Sequence, residues 1–333
     1  MVTIKDVSEL AGVSQATVSR VINGKCRVGT DKKLRVERAI KILGYRPNAI
    51  AQALASCRTG SIGIIVPELG GFFSGILNSM ERLLRNLGYH VIVTTGSNTE
   101  QSEQESVEFM LNRRVDAIIL HTQQLSDEYL IDLEKKGIYI VLINRIIPEI
   151  AESCINIDNV LGGLIATKHL INMGHKTIAC ITGPLEKADA RERLEGYRQA
   201  LNSSDIEYRD DLVVEASFTE ESGARATEKL LGRNYEFSAI FASNDHMAFG
   251  ASEVLKTKGY AIPEQISLIG FDDVIFARYL TPSLTTINFP VESMSEEAVQ
   301  LVIQKIKKHD KNVNFKLSPS LVIRASVRNL KET

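Results

Sequence analysis

Cysteine is scarce and scattered in this chain: Cys26, Cys57, Cys154 and Cys180 are far apart, with no C-x-x-C pair and no adjacent histidine. That spacing excludes a zinc ribbon or a disulfide framework and leaves reduced, mostly structural thiols. Long apolar runs are also missing. No stretch approaches the ~20 consecutive apolar residues of a membrane helix. The opening MVTIKDVSEL carries a lysine but lacks the apolar core of a secretory signal, so a cytoplasmic location is expected. The phosphate-cradling G-x-x-x-x-G-K-[ST], a G-x-G-x-x-G at a strand-to-helix turn, the nucleophile elbow G-x-S-x-G and the zincin H-E-x-x-H are all absent. The chain is therefore not expected to be an enzyme, and nothing in it calls for a cofactor or a metal.

What is present is enough apolar material, 44% of 333 residues, for two sizeable cores. The net charge of -2 hides an asymmetry. Residues 1–60 hold 11 Lys and Arg against 4 Asp and Glu, a net of +7, whereas the rest of the chain is net -9. A basic head on an acidic body suits contact with a polyanion, because cations that neutralise phosphates release counterions.

The head resolves into short helices. Thr3 and Asp6 form a T-x-x-D capping box before the apolar stripe Val7, Leu10 and Ala11, and Gly12 ends that helix. Ser14 is a suitable cap for a second helix with Val18, Val21 and Ile22 on its buried face. A third, from about Asp31 to Leu43, is expected to bury Leu34, Val36, Ile40 and Leu43. Together they predict a helix-turn-helix domain. In the stretch SQATVSRVIN the outward residues are slim and polar, as a major-groove reader requires. Gln15 and Arg20 can bond base edges, Ser14, Thr17, Ser19 and Asn23 can reach phosphates, and Ala16 offers only a methyl group. Thr3 is counted with these DNA-facing residues.

The run TIKDVSELAGVSQATVSRVINGK, followed by GYRPNAIAQALA, resembles the headpiece and hinge of LacI/GalR-type transcriptional repressors, and the likeness extends over essentially the whole chain. The resemblance implies that Gln15, Ala16 and Arg20 read an operator. It also implies that Leu54 of the hinge wedges into the minor groove. Read on its own chemistry, the hinge offers Asn48 as an N-cap and places Ile50 and Leu54 four apart on one face. At under about eight residues such a helix is unstable alone, so pairing in a dimer on DNA would order it.

From Ser61 the pattern becomes alternating strand and helix: SIGIIVPEL, HVIVTTG, AIILHT and IYIVLIN, then TIACITG, DLVVEAS, AIFASN and ISLIGF. The expected fold class is therefore α/β: an all-α headpiece (1–46), a hinge helix and linker (47–60), and a body (61–333) of two doubly wound parallel sheets. The expected subdomains are about 61–158 and 159–284, with crossover segments after 284. The resemblance makes them of periplasmic-binding-protein type, with a cleft between them.

Ligands of such sheets bind beyond the carboxyl ends of the strands. The polar and aromatic residues there are Phe72, Phe73, Asn144, Arg145, Arg193, Asn244 and Asp272, with His121 and Asp158 added by position. A carboxylate can accept from vicinal hydroxyls, Arg and Asn can donate in return, and Phe can cover a ring face, so the set suits a sugar. The resemblance places Arg193, Asn244 and Asp272 at the effector and Phe218 along its pocket. Within the family the likeness is strongest to galactose-type repressors, through VLINRIIP, ADARERLEGYRQAL and ESGARATEKLLGR. The implied partners are operator DNA, a small sugar inducer (galactose or a related hexose or glycoside) and a second copy of the chain. A β-glucoside effector, a corepressor sign and a sugar-binding protein without regulatory role remain as alternatives. The ending VRNLKET lacks Leu heptads, so a dimer is expected rather than a tetramer.

Overall fold

The computed structural model describes residues 2–22, 28–45, 58–96, 99–233, 235–308 and 315–332. The chain divides into two compact units, Met1–Gly60 and Ser61–Thr333.

In the first unit, α1 (Ile4–Ala11), α2 (Gln15–Ile22) and α3 (Thr30–Leu43) surround a core of Val7, Ala11, Val18, Val36 and Ala39. The capping box forms at both ends: the Thr3 amide donates to Asp6 Oδ2 at 2.8 Å, and the Asp6 amide donates to Thr3 Oγ1 at 3.4 Å. Gly12, at φ 63°, adopts the left-handed conformation that closes α1 and turns the chain toward α2. Two expected core residues lie outside it. Leu34 is 60% exposed and Leu10 52% exposed. Val36, Ala39, Ile40 and Leu43 make one helical stripe, and Leu34, two residues from Val36, falls on the opposite face. Leu10 lies one residue off the Val7–Ala11 line. Asn23 and the hinge positions Asn48, Ile50 and Leu54 lie outside the described residues, as do Cys26 and Cys57.

The second unit has two lobes. The first is built from β1 (Ser61–Val66), α4 (Gly71–Asn86), β2 (His90–Thr95), α5 (Glu100–Asn112), β3 (Ala117–Leu120), α6 (Asp127–Lys135), β4 (Ile140–Ile143) and β5 (Cys154–Ile157). The second begins with α7 (Asn159–Asn172), β6 (Ile178–Thr182), α8 (Ala188–Asn202), β7 (Val213–Glu215) and α9 (Glu220–Gly232). It continues through β8 (Ala239–Ala242), α10 (Asp245–Thr257), β9 (Ser267–Asp272) and β10 (Thr285–Asn288). The chain then returns to the first lobe with α11 (Val291–Lys307) and β11 (Phe315–Leu317), and ends in the second with β12 (Ser320–Val322).

The sheet orders are β11-β5-β4-β3-β1-β2 and β12-β10-β9-β8-β6-β7. Among the described residues every strand pairing is parallel except β10 with β12. The central strands β3, β4, β6, β8 and β9 are buried throughout, and they are mostly apolar without a polar alternation, while the edge strand β2 is half-exposed. Three segments cross between the lobes, after β5, β10 and β11. The second lobe runs through β10 to Asn288, past the expected end at 284, because β10 completes its sheet beside β9.

Glycines set how closely the helices of the second lobe pack. A Cβ on Gly163 of α7 would collide with the Arg193 carbonyl oxygen of α8, and one on Gly196 of α8 with the Val160 carbonyl. Gly223 and Gly250 make the same close approach between α9 and α10. These contacts are backbone against backbone, so the neighbour cannot rotate away. Gly163→Ala and Gly250→Ala are each expected to cost about 1–3 kcal/mol of stability. Urea unfolding of the purified variants checks this, and a wild-type midpoint would contradict it.

Candidate functional site

In the head, Ser14, Gln15, Ala16 and Arg20 are exposed on one side of α2, with Thr17 and Ser19 half-buried. The opposite side is pinned by Val18, which is fully buried, and by Val21 and Ile22 packed on the same core. Ser14 caps the helix by accepting the Thr17 amide at 3.3 Å, and its hydroxyl lies 3.0 Å from Thr17 Oγ1. Thr3 is exposed, and its hydroxyl is held by Asp6 Oδ2 at 2.9 Å. Gln15 and Arg20 are the long polar side chains on the outward face of α2, in reach of a duplex groove.

In the body, a cavity of about 840 Å³, its open mouth included, lies between the lobes at the carboxyl ends of both sheets. The first lobe contributes Pro67, Glu68, Phe72, Phe73, His121, Gln123 and Asn144, and the second Lys187, Asp189, Arg193, Ser217, Phe218, Thr219, Asn244, His246 and Asp272. Phe289 joins them from the second crossing. Phe72 meets Phe73 and Phe289 edge-on at centroid distances of 5.3 and 4.8 Å, forming an aromatic wall.

Arg193 organises the interior. Its Nε donates to Asn159 Oδ1 at 3.0 Å and its Nη1 to the Ser243 carbonyl at 2.6 Å, while Nη1 lies 3.5 Å from Asp272 Oδ1. Its guanidinium stacks 3.8 Å from the Phe271 ring centroid. Asn159 in turn donates to Asn144 Oδ1 at 3.2 Å and Glu192 Oε2 at 3.0 Å, and Asn144 donates to Asp189 Oδ2 at 3.3 Å. The network thus joins the end of β4 in the first lobe to α7 and α8 of the second. Asn244 caps α10 by accepting the Met247 amide at 2.9 Å, and its Nδ2 donates to the Phe218 carbonyl at 3.0 Å. Asn144, Phe218 and Asp272 hold positive φ values of 57°, 63° and 108°. Such backbone is costly for residues with a Cβ and collects at ligand sites.

Burial governs the site's ionisation. It pushes the Asp272 carboxyl up to about 7, with Arg193 pulling against it and the Asp189 charge adding to it. Behind Asp272, the fully buried Asp245 is raised well above the ordinary range, chiefly by burial and then by the charge of Asp272. Asp245 accepts from Thr286 Oγ1 at 2.6 Å and from the Val274 amide at 2.9 Å, so it anchors the turn carrying Asp272 and Asp273. Burial pulls His121 down to about 4, against the charge of Asp189, so this imidazole is neutral near pH 7.

Eight of the ten residues expected at the effector therefore line one cavity: Phe72, Phe73, His121, Asn144, Arg193, Phe218, Asn244 and Asp272. The other two do not. Arg145 turns away to Asp127 at 2.5 Å, since residues 144 and 145 leave the strand end on opposite sides. Asp158 is consumed as the cap of α7, accepting the Leu161 amide at 2.9 Å, and pairs with Lys316 at 2.7 Å. Its neighbour Asn159 is the residue that reaches the network. Asp189 is a further lining residue, and its spacing four before Arg193 on one helix face is the sequence signal that marks it.

The ionisation of Asp272 predicts a sign. Its folded value lies above the ordinary 3.8, so its contribution to stability is complete below that pH and is lost as pH rises through about 7. Arg193→Ala strips the ionised form of its counter-charge. It is expected to cost about 3 kcal/mol at pH 8 and clearly less at pH 5, where Asp272 is neutral. Urea unfolding at the two pH values reads the difference, and an equal loss at both would be inconsistent with it.

The comparisons with known proteins agree with this architecture. The family model for bacterial regulatory proteins of the lacI family matches residues 3–48, and the model for periplasmic binding proteins and the sugar-binding domain of the LacI family matches residues 59–333. The HTH-type transcriptional regulator GalR of Salmonella typhimurium is 39% identical over 335 residues, covering 100% of this chain and 98% of that protein. Among solved structures, the lac repressor dimer bound to operator and the anti-inducer ONPF superposes with a TM-score of 0.88 at 28% identity, covering 98% of this chain and 99% of that one. The transcriptional regulator CelR in complex with cellobiose gives a TM-score of 0.75 at 33% identity, with 98% and 100% covered. With a helix-turn-helix head and a two-lobed body each matched by its family model, the chain belongs to the LacI family of bacterial regulatory proteins.

Proposed function

We propose that this protein is a sugar-responsive transcriptional repressor that binds a pseudo-palindromic operator as a homodimer and is released by a sugar held between its lobes. The observation that carries the reading is the union in one chain of an exposed polar recognition helix with a cavity where Arg193, Asn244 and Asp272 face an aromatic wall. The similarity to GalR makes galactose or a related hexose the first effector class, and the likeness to the CelR–cellobiose complex makes a β-glucoside the second. The site of action is the cytoplasm, at the nucleoid.

The mechanism is one of linked equilibria. Sugar favours one arrangement of the lobes and operator favours another, so each weakens the other by the same factor. The Arg193 network is suited to this role because it ties both lobes to the ligand-facing Asp272. Within the cavity, ionised Asp272 accepts from sugar hydroxyls, Asn244 and Arg193 orient the same edge, and Phe218 covers an apolar face of the ring.

Fluorescence titration of operator with and without saturating sugar tests the reading. Sugar should weaken operator binding by about 5–150-fold. Tighter binding would reverse the sign to corepression, and no change would remove the effector role. Sugar affinity should fall about tenfold per pH unit below 7 as Asp272 takes up its proton, a dependence that Asp272→Asn abolishes. On the DNA side, Gln15→Ala should cost about 1–3 kcal/mol only on operators that keep its one or two base pairs. An equal loss on every sequence would mark Gln15 as a phosphate contact.

A further inference from the structure

Lys187 is oddly placed for a solvated lysine. It stands at the N-cap of α8, a 15-residue helix, where its side chain makes no capping bond and its charge opposes the positive end of the helix dipole. It is half-buried in the cavity wall, with its Nζ 5.9 Å from the Phe218 ring centroid. Among the described residues it makes no ion pair and no side-chain hydrogen bond, although fourteen ion pairs form elsewhere in the protein.

Across the cleft lie two more unsatisfied nitrogens. His121 is 7% exposed and its Nδ1 has no partner, and the buried Nε2 of Gln123 has none. Lys187, His121 and Gln123 all line this one cavity, the lysine from the second lobe and the other two from the first. The nearby carboxylates do not fill the gap. Asp189 is held by Asn144 at 3.3 Å and by the Ala190 amide at 2.8 Å, and Asp272 lies against Arg193. Glu68 sits toward the start of α4, beside Gly71 and His246. An ammonium and two nitrogens able to donate, without an acceptor of their own, describe a seat for an acceptor-only group.

We infer that the effector carries an anionic substituent, a carboxylate or a phosphate, and that Lys187, with His121 and Gln123, selects it. The hydroxyl-bearing part of the same molecule is held by Asp272, Asn244 and Arg193. A charge-assisted bond to Lys187 in this half-buried wall is stronger than the same bond to a neutral hydroxyl, so the acid is preferred over its parent sugar. This inference rests on the sugar-effector reading above and narrows it to acidic sugars.

Isothermal titration calorimetry on the full chain tests it with D-galactose, D-galacturonate and D-galactose 6-phosphate, and with the corresponding glucose series. In at least one series an acidic sugar should bind ten times or more tighter than its neutral parent, and the preferred acid tells carboxylate from phosphate. Lys187→Gln should remove that advantage, bringing the acid to the affinity of its neutral parent, while Lys187→Arg keeps most of it. The inference is overturned if neutral sugars bind as tightly as both acids, or if Lys187→Gln weakens acid and neutral sugar alike. Binding of neutral sugars without preference for acids overturns this inference alone. Failure of every sugar in both series overturns the sugar-effector reading with it.

Discussion

A buried guanidinium is the constraint around which this body is arranged. Taking Arg193 out of water costs several kcal/mol unless its donors and charge are met. Asn159, the Ser243 carbonyl, and Asp272 with the Phe271 face meet them from three different segments of the chain. Each of those segments must arrive at the right depth. α8 is brought there by close packing on α7 through Gly163 and Gly196, and Asp272 by a turn pinned on Asp245. Gly270 leaves the space that the Asp245 carboxyl occupies. The demand for a satisfied arginine thus reaches backbone positions that never touch the cavity.

The same arginine links the lobes. Through Asn159 and Asn144 it is joined to the end of β4, so a change of lobe arrangement cannot leave the cavity-lining carboxylate of Asp272 untouched. Three crossing segments limit how the lobes can move, and the cavity lies where they do so. A ligand that changes the charge or partners of Asp272 therefore acts on a network that already spans the cleft, which gives the proposed coupling a physical route.

Much of this was legible from the chain. Strands of a covered parallel sheet carry continuous apolar residues, all eight quoted runs are strands, and the residues just past them supply most of the cavity wall. The short strands β5, β10, β11 and β12 carry no comparable run, and their sheet membership depends on where the chain crosses between lobes. Asp158 and Asn159 show the limit of position alone: one residue decides whether a side chain caps a helix or enters the network. Arg145 turned outward beside an inward Asn144 for the same reason. Leu34 is apolar but out of helical phase with Val36 and Ala39, so hydrophobicity points it to the core while the helix turns it to solvent. In contrast Asp189 was recoverable, since its spacing from Arg193 puts both on one face of α8.

The central claim is that sugar and operator share one equilibrium through this network. Its most direct test is made from the sugar side: the dissociation constant of the effector for free protein against that for the operator-bound complex. The account predicts weaker binding in the complex, by the same factor by which saturating sugar weakens operator binding. Equal sugar affinity in the free and operator-bound states would contradict it.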